Sequence, residues 1–185
     1  MKNALKFLRL SLMSVALLAG NTQILAADNG PVALTITGEV KTPNRGGYDA
    51  ETDKFLGFFE IEFDRAFTFS LADLQALSAV TIKADFPKGG AIHSFTGPLL
   101  ADVLAAAGAT GDEVTVQALD GYAVATPMEE MIAQGAVVAY QRNGKIFGIG
   151  DFGPTQIVFP RAEREELADM SDDNWIWSIF HIQVK

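Results

Sequence analysis

At 185 residues, with 14 Lys and Arg against 23 Asp and Glu, the chain has a formal net charge of −9 and no cysteine. That size suits one domain able to bury a core without disulfides. The charge repels nucleic acid and anionic membranes, and the missing thiol excludes cysteine nucleophiles, thiolate metal centres and lipid attachment at a lipobox.

Lys2, Lys6 and Arg9 precede an apolar run, Leu10 to Ala19, and small residues follow at Ala26 and Ala27. This is the pattern of a secretory signal peptide over residues 1–27, leaving a domain over 28–185. The apolar run is about half of the roughly 20 residues that span a bilayer, so no membrane insertion of the mature chain is expected. No paired arginines precede it, so the twin-arginine signal is missing. Cleavage would remove three bases and no acids, making the mature chain three units more negative than −9.

Val32 to Val40 reads as a strand and Lys41 to Lys54, with Pro43 and Gly46-Gly47, as a loop. Phe59, Ile61 and Phe63 alternate with Glu60, Glu62 and Asp64, the period of a half-buried strand. Ser70 caps a short helix over Leu71 to Leu77, with Asp73 in its first turn. Val80 to Phe86 is a strand. Phe95 to Leu100 (FTGPLL) pairs turn residues with an apolar run and reads as a loop, with Pro98 opening a helix that Gly108 stops. Val114 to Leu119 and Tyr122 to Ala125 flank Asp120-Gly121 as a hairpin, and Pro127 starts a short helix. Ala136 to Gln141 and Lys145 to Ile149 flank Asn143-Gly144 as a second hairpin. Gln156 to Phe159 is a short strand, Arg161 to Met170 is expected to be helical, and Trp175 to Val184 is the closing strand. The sum is an α+β domain: a strand-rich mixed sheet with short helices.

Three blocks in fixed order stand out: Phe95–Leu100, Leu119-Asp120-Gly121-Tyr122, and Gly153-Pro154 to Pro160. With Gly38-Glu39-Val40, Phe67 to Leu77, Ala139 to Gly144 and a tryptophan-bearing last strand, they resemble the molybdopterin-binding oxidoreductase domain of the sulfite oxidase family. The resemblance covers Val32 to Lys185. It implies a domain built around molybdenum held by a pyranopterin, with a cysteine thiolate completing the metal's sulfur-rich coordination.

Three departures weigh against that cofactor. The segment expected to bear the cysteine, Val80 to His93, offers only Asp85 and His93 as donors. Gln156 stands where the family often has a cofactor-holding arginine, and Asn174-Trp175 replaces the family's Lys-Trp pair, so two cations are missing. A cofactor loaded in the cytoplasm leaves with a folded protein, whereas this leader is of the type that exports an unfolded chain. The signal and the family together give a periplasmic expectation.

Each candidate residue has two readings. His93 either faces the cofactor cleft as a hydrogen-bond donor or caps a loop. His181, between Phe180 and Ile182, is read as an outward strand residue. Asp120 and Tyr122 make a tight turn, which in the family lies close to the cleft and so can touch a ligand. Arg142, Lys145 and Arg161 are either solvated charges or an anion site. Asp151-Phe152-Gly153-Pro154 forms a rigid loop with an aromatic at its tip. Trp175 and Trp177 fall at odd positions of one strand and are expected to share a face. Two histidines without a cysteine make no zinc or copper site, and no metal is expected.

No G-x-S-x-G, phosphate loop, dinucleotide fingerprint or His-Glu-x-x-His occurs. The sequence therefore favours a binding or sensing module, with His93, Asp120, Tyr122, Arg142, Asp151 and Arg161 as a remnant cleft and no cofactor expected. Its partner would be a small anionic ligand or a membrane-bound sensor or redox protein. The alternative is a molybdopterin-dependent oxidoreductase with a non-cysteine metal ligand.

Overall fold

The computed structural model describes residues 30–185; the signal-peptide reading of residues 1–27 and the start of the domain at residue 28 lie outside them. Two sheets organise the chain. The larger centres on β11 (Trp177–Val184). On one edge β11 pairs in parallel with β1 (Val32–Gly38), Thr35 facing His181, and β1 pairs in turn with β2 (Phe67–Ser70). On the other lies the hairpin of β5 (Glu113–Ala118) and β6 (Ala123–Pro127). The first residues of β11 pair with β10 (Thr155–Val158), which carries β7 (Val137–Ala139). The smaller sheet runs β3 (Ala79–Asp85), β4 (Ile92–Pro98), β8 (Gln141–Arg142), β9 (Lys145–Ile146).

The chain crosses between the sheets at Tyr140, whose amide donates to the Thr96 carbonyl at 3.0 Å. Gly97 permits that crossing: a Cβ there would collide with the Val138 carbonyl oxygen, so only glycine lets β4 lie so close to β7. Leu34, Ile36, Phe95, Leu100, Val103, Ile157 and Ile182 are among the side chains that fill the interior. Each such buried side chain contributes about 1.5–3 kcal/mol.

The helices are α1 (Lys54–Phe58), α2 (Leu71–Ala76), α3 (Leu100–Ala107) and α4 (Met128–Ala133). The predicted Ser70 cap is present as a capping box with Asp73, and Gly108 ends α3 in the left-handed conformation. Among the described residues, no helix is long and apolar enough to cross a membrane.

Five expectations are corrected. Phe95–Pro98 is strand rather than loop, because β3 pairs with β4 up to Pro98, and the helix starts at Leu100 instead of Pro98. Phe59–Asp64 has alternating burial but no partner strand among the described residues; Glu60 takes a positive φ of 56°, and Phe55 and Phe59, four apart, both pack on Phe180. Residues 161–170 form one 3₁₀ turn, Glu165–Leu167, because Arg161 points inward and anchors the segment. Trp175 and Trp177 are not on one strand: Trp175 precedes β11 and is 1% exposed, while Trp177 opens β11 and is 43% exposed, although both line one cavity. His181 is buried rather than outward, at 4% exposure, and its Nε2 lies 2.8 Å from the Thr37 hydroxyl.

Candidate functional site

The predicted site residues fall into two clusters. The first surrounds a cavity of about 380 Å³ between the β5–β6 turn, the start of the β3–β4 loop and the segment before β11. Asp120 accepts from the Tyr122 amide at 3.0 Å, and Gly121 supplies the positive φ that the turn needs. The turn thereby points Tyr122 across the cavity, where its hydroxyl donates to the Asp173 carbonyl at 3.4 Å. Asp172 and Asp173 line the opposite side. Phe86 and Trp175 stack on each other, their ring centroids 5.6 Å apart and their planes 5° from parallel.

Arg161 lies beneath this wall. Its guanidinium sits 4.3 Å from the centre of the Trp175 ring and is 5% exposed as a residue. Nε donates to Asp85 at 2.7 Å, and Nη1 donates to Asp172 at 2.7 Å and to the Met170 carbonyl at 3.0 Å. Nη2 donates to the Asp85 carbonyl. Burial alone would raise the Asp85 carboxyl, but the Arg161 and Gly89 hydrogen bonds outweigh it and hold the group below its ordinary value. Arg161 is therefore a structural cation.

The second cluster surrounds a cavity of about 300 Å³ lined by Arg142, Asn143, Lys145, Asp151 and Phe152. Asn143 and Gly144 both take positive φ, the tight hairpin turn that the Asn-Gly pair predicts. Asn143 holds the His93 Nδ1 at 2.9 Å. Arg142 lies over the rings of Phe95 (5.7 Å) and Phe152 (5.2 Å), and partial burial lowers its pKa. Asp151 accepts from the Gly148 and Gly153 amides, with Lys145 at 3.7 Å. Desolvation is the largest single influence and raises its pKa, but the Gly148 and Gly153 amides and the Lys145 charge together outweigh it and hold the carboxyl below its ordinary value.

Phe152 stands between the clusters, 5.9 Å from Phe86 and 6.4 Å from Trp177 on one side and under Arg142 on the other. Thus Asp120 and Tyr122 share one cavity, while Arg142 and Asp151 share another with His93 at its edge. Arg161 is not brought together with Arg142 and Lys145. Phe86, Asp172 and Asp173 were missed; the polar Ser171–Asn174 tract before a tryptophan was the available signal. Gln156 is fully buried, and neither its amide oxygen nor its nitrogen has a hydrogen-bond partner among the described residues. Among the described residues, no group of three or more His, Cys, Asp or Glu is placed to hold a metal ion.

The sequence pattern of the oxidoreductase molybdopterin binding domain matches residues 51–163. Among solved structures, the chain is similar to the sulfane dehydrogenase SoxCD from Paracoccus pantotrophus, at 16% identity and a TM-score of 0.54, over 82% of this chain and 37% of that one. This chain therefore matches less than half of that protein's length, and the likeness is one of fold. No curated protein sequence matches. The matched stretch includes every predicted site residue but stops short of Asp172, Asp173 and both tryptophans. With more than half of its length matched, the chain belongs to the oxidoreductase molybdopterin binding domain family.

Proposed function

We propose that this chain is a non-catalytic member of its family, exported, and that it holds a small molecule in the cavity beside the Asp120–Tyr122 turn. The donor chemistry of the Val80–His93 segment carries this reading. A dithiolene-held molybdenum takes a soft thiolate from its protein, and this chain has none to give. The two donors in that segment are otherwise engaged: Asp85 by Arg161 and the Gly89 amide, His93 by Asn143.

The remaining walls also oppose an anionic, phosphate-bearing cofactor. Asp120, Asp172 and Asp173 line the cavity, and among the described residues no lysine or arginine does. Gln156, buried and uncharged, stands where a cationic fork would hold a phosphate. The residues present do not fit the molybdenum cofactor. An oxygen ligand from Asp85 would require breaking its bond to an Arg161 side chain that is 2% exposed. Export rests on the leader pattern of residues 1–27.

Metal and pterin analysis tests the reading. Mature protein purified from a host that makes the cofactor should contain far less than one molybdenum per chain. One molybdenum and one pterin per chain would overturn it.

A further inference from the structure

The cavity beside the Asp120–Tyr122 turn has the composition of a cation site. Tyr122 and Trp177 are 52% and 43% exposed, so ring surface on both is open to a ligand, while stacked Phe86 and Trp175 close the back wall. Three carboxylates stand among these rings. Arg161 partly balances Asp172. Asp120 and Asp173 accept from the Tyr122 amide and the Ser171 hydroxyl respectively, and neither has a cationic partner among the described residues. Aromatic faces attract weakly hydrated organic cations, and neighbouring carboxylates add to the attraction. Because no group of three or more His, Cys, Asp or Glu among the described residues is placed to ligate a metal, an inorganic ion is disfavoured.

A second, independent observation concerns Trp175. It is 1% exposed and lines the same cavity, yet its indole N–H has no hydrogen-bond partner among the described residues. Buried donors are ordinarily satisfied, and an oxygen on a bound molecule can do so. From the rings, the carboxylates and the unmet donor together, the geometry points to a site for a small organic ammonium ion that carries an oxygen acceptor near its nitrogen. The inference rests on the reading of this cavity as a binding site rather than a cofactor site, and it replaces the anionic ligand expected from the sequence.

Choline is the probe. It is titrated into the full chain at constant ionic strength and followed by calorimetry and by tryptophan emission, since the chain's two tryptophans both line the cavity. Controls are the uncharged isostere 3,3-dimethylbutan-1-ol and inorganic phosphate. Variants are Trp177→Ala, an exposed ring whose loss opens no core, and Asp120→Asn, which keeps the turn's side-chain acceptor. Saturable choline binding is expected, roughly tenfold or more tighter than binding of the isostere and roughly fivefold weaker in each variant. No saturation by about 20 mM choline, equal binding of the isostere, tighter binding of phosphate, or unchanged affinity in Trp177→Ala would each overturn the inference. Failure of choline to bind molybdenum-free protein sinks this inference alone; stoichiometric molybdenum sinks the functional reading beneath it.

Discussion

Arg161 and Arg142 both lie against aromatic rings, yet they serve their cavities in different ways. Arg161 is buried under Trp175 and spends its donors on Asp85, Asp172 and two carbonyls. Arg142 lies over the rings of Phe152 and Phe95 and has no ion-pair partner among the described residues. The difference shows that a cation in the family's cleft region is not by itself an anion site. Where carboxylates surround the guanidinium it becomes part of the wall, and the cavity above it keeps a negative lining.

Removing Arg161 should break the contrast most severely. Arg161→Met leaves two partly buried carboxylates unpaired and should cost about 3–5 kcal/mol in urea unfolding; a loss below about 1 kcal/mol would make the arginine dispensable. The next effect comes from His181, whose pKa burial lowers to about 4. The unfolded chain binds a proton at that ring below about pH 6.5 and the folded chain does not until about 4. Stability should therefore fall as pH drops from about 6.5 to 4, by about 3 kcal/mol, and His181→Leu should flatten that slope. The acid loss attached to Asp85, whose folded pKa is lowered, belongs to lower pH, below the unfolded value of about 3.9.

Gln156→Leu sharpens the comparison from the other side. Its amide makes no hydrogen bond among the described residues, so an apolar residue of similar volume should stabilise the fold by about 1–2 kcal/mol, read as a higher urea midpoint at unchanged slope. A destabilised variant would mean that the amide has a partner in solution. Least affected should be Arg142→Ala, with a change below about 1 kcal/mol in the same assay.

Local signals were legible wherever the residue itself dictates backbone geometry. Ser70 with Asp73, Gly108, Asp120-Gly121 and Asn143-Gly144 each act through their own hydrogen bonds or positive φ, and each lies where the sequence places it. Expectations failed where a distant partner decides. Gly97-Pro98 reads as a turn, yet β3 and the close approach of Val138 make it strand. Phe59, Ile61 and Phe63 have strand periodicity but, among the described residues, no strand to pair with. In the site, Asp120 and Tyr122 were found through their turn. Asp172 and Asp173 were hidden because nothing in a polar tract shows which carboxylates face an aromatic wall.

One topological feature bears on assembly. Thr37 and His181, joined by a hydrogen bond between parallel neighbours, are 144 residues apart. β11 follows all three strands it joins, β1, β5 and β10, so none of those ladders can form while the polypeptide emerging from a ribosome stops short of it. Such high contact order slows folding, and the central sheet closes as a late event rather than growing outward from its first strand.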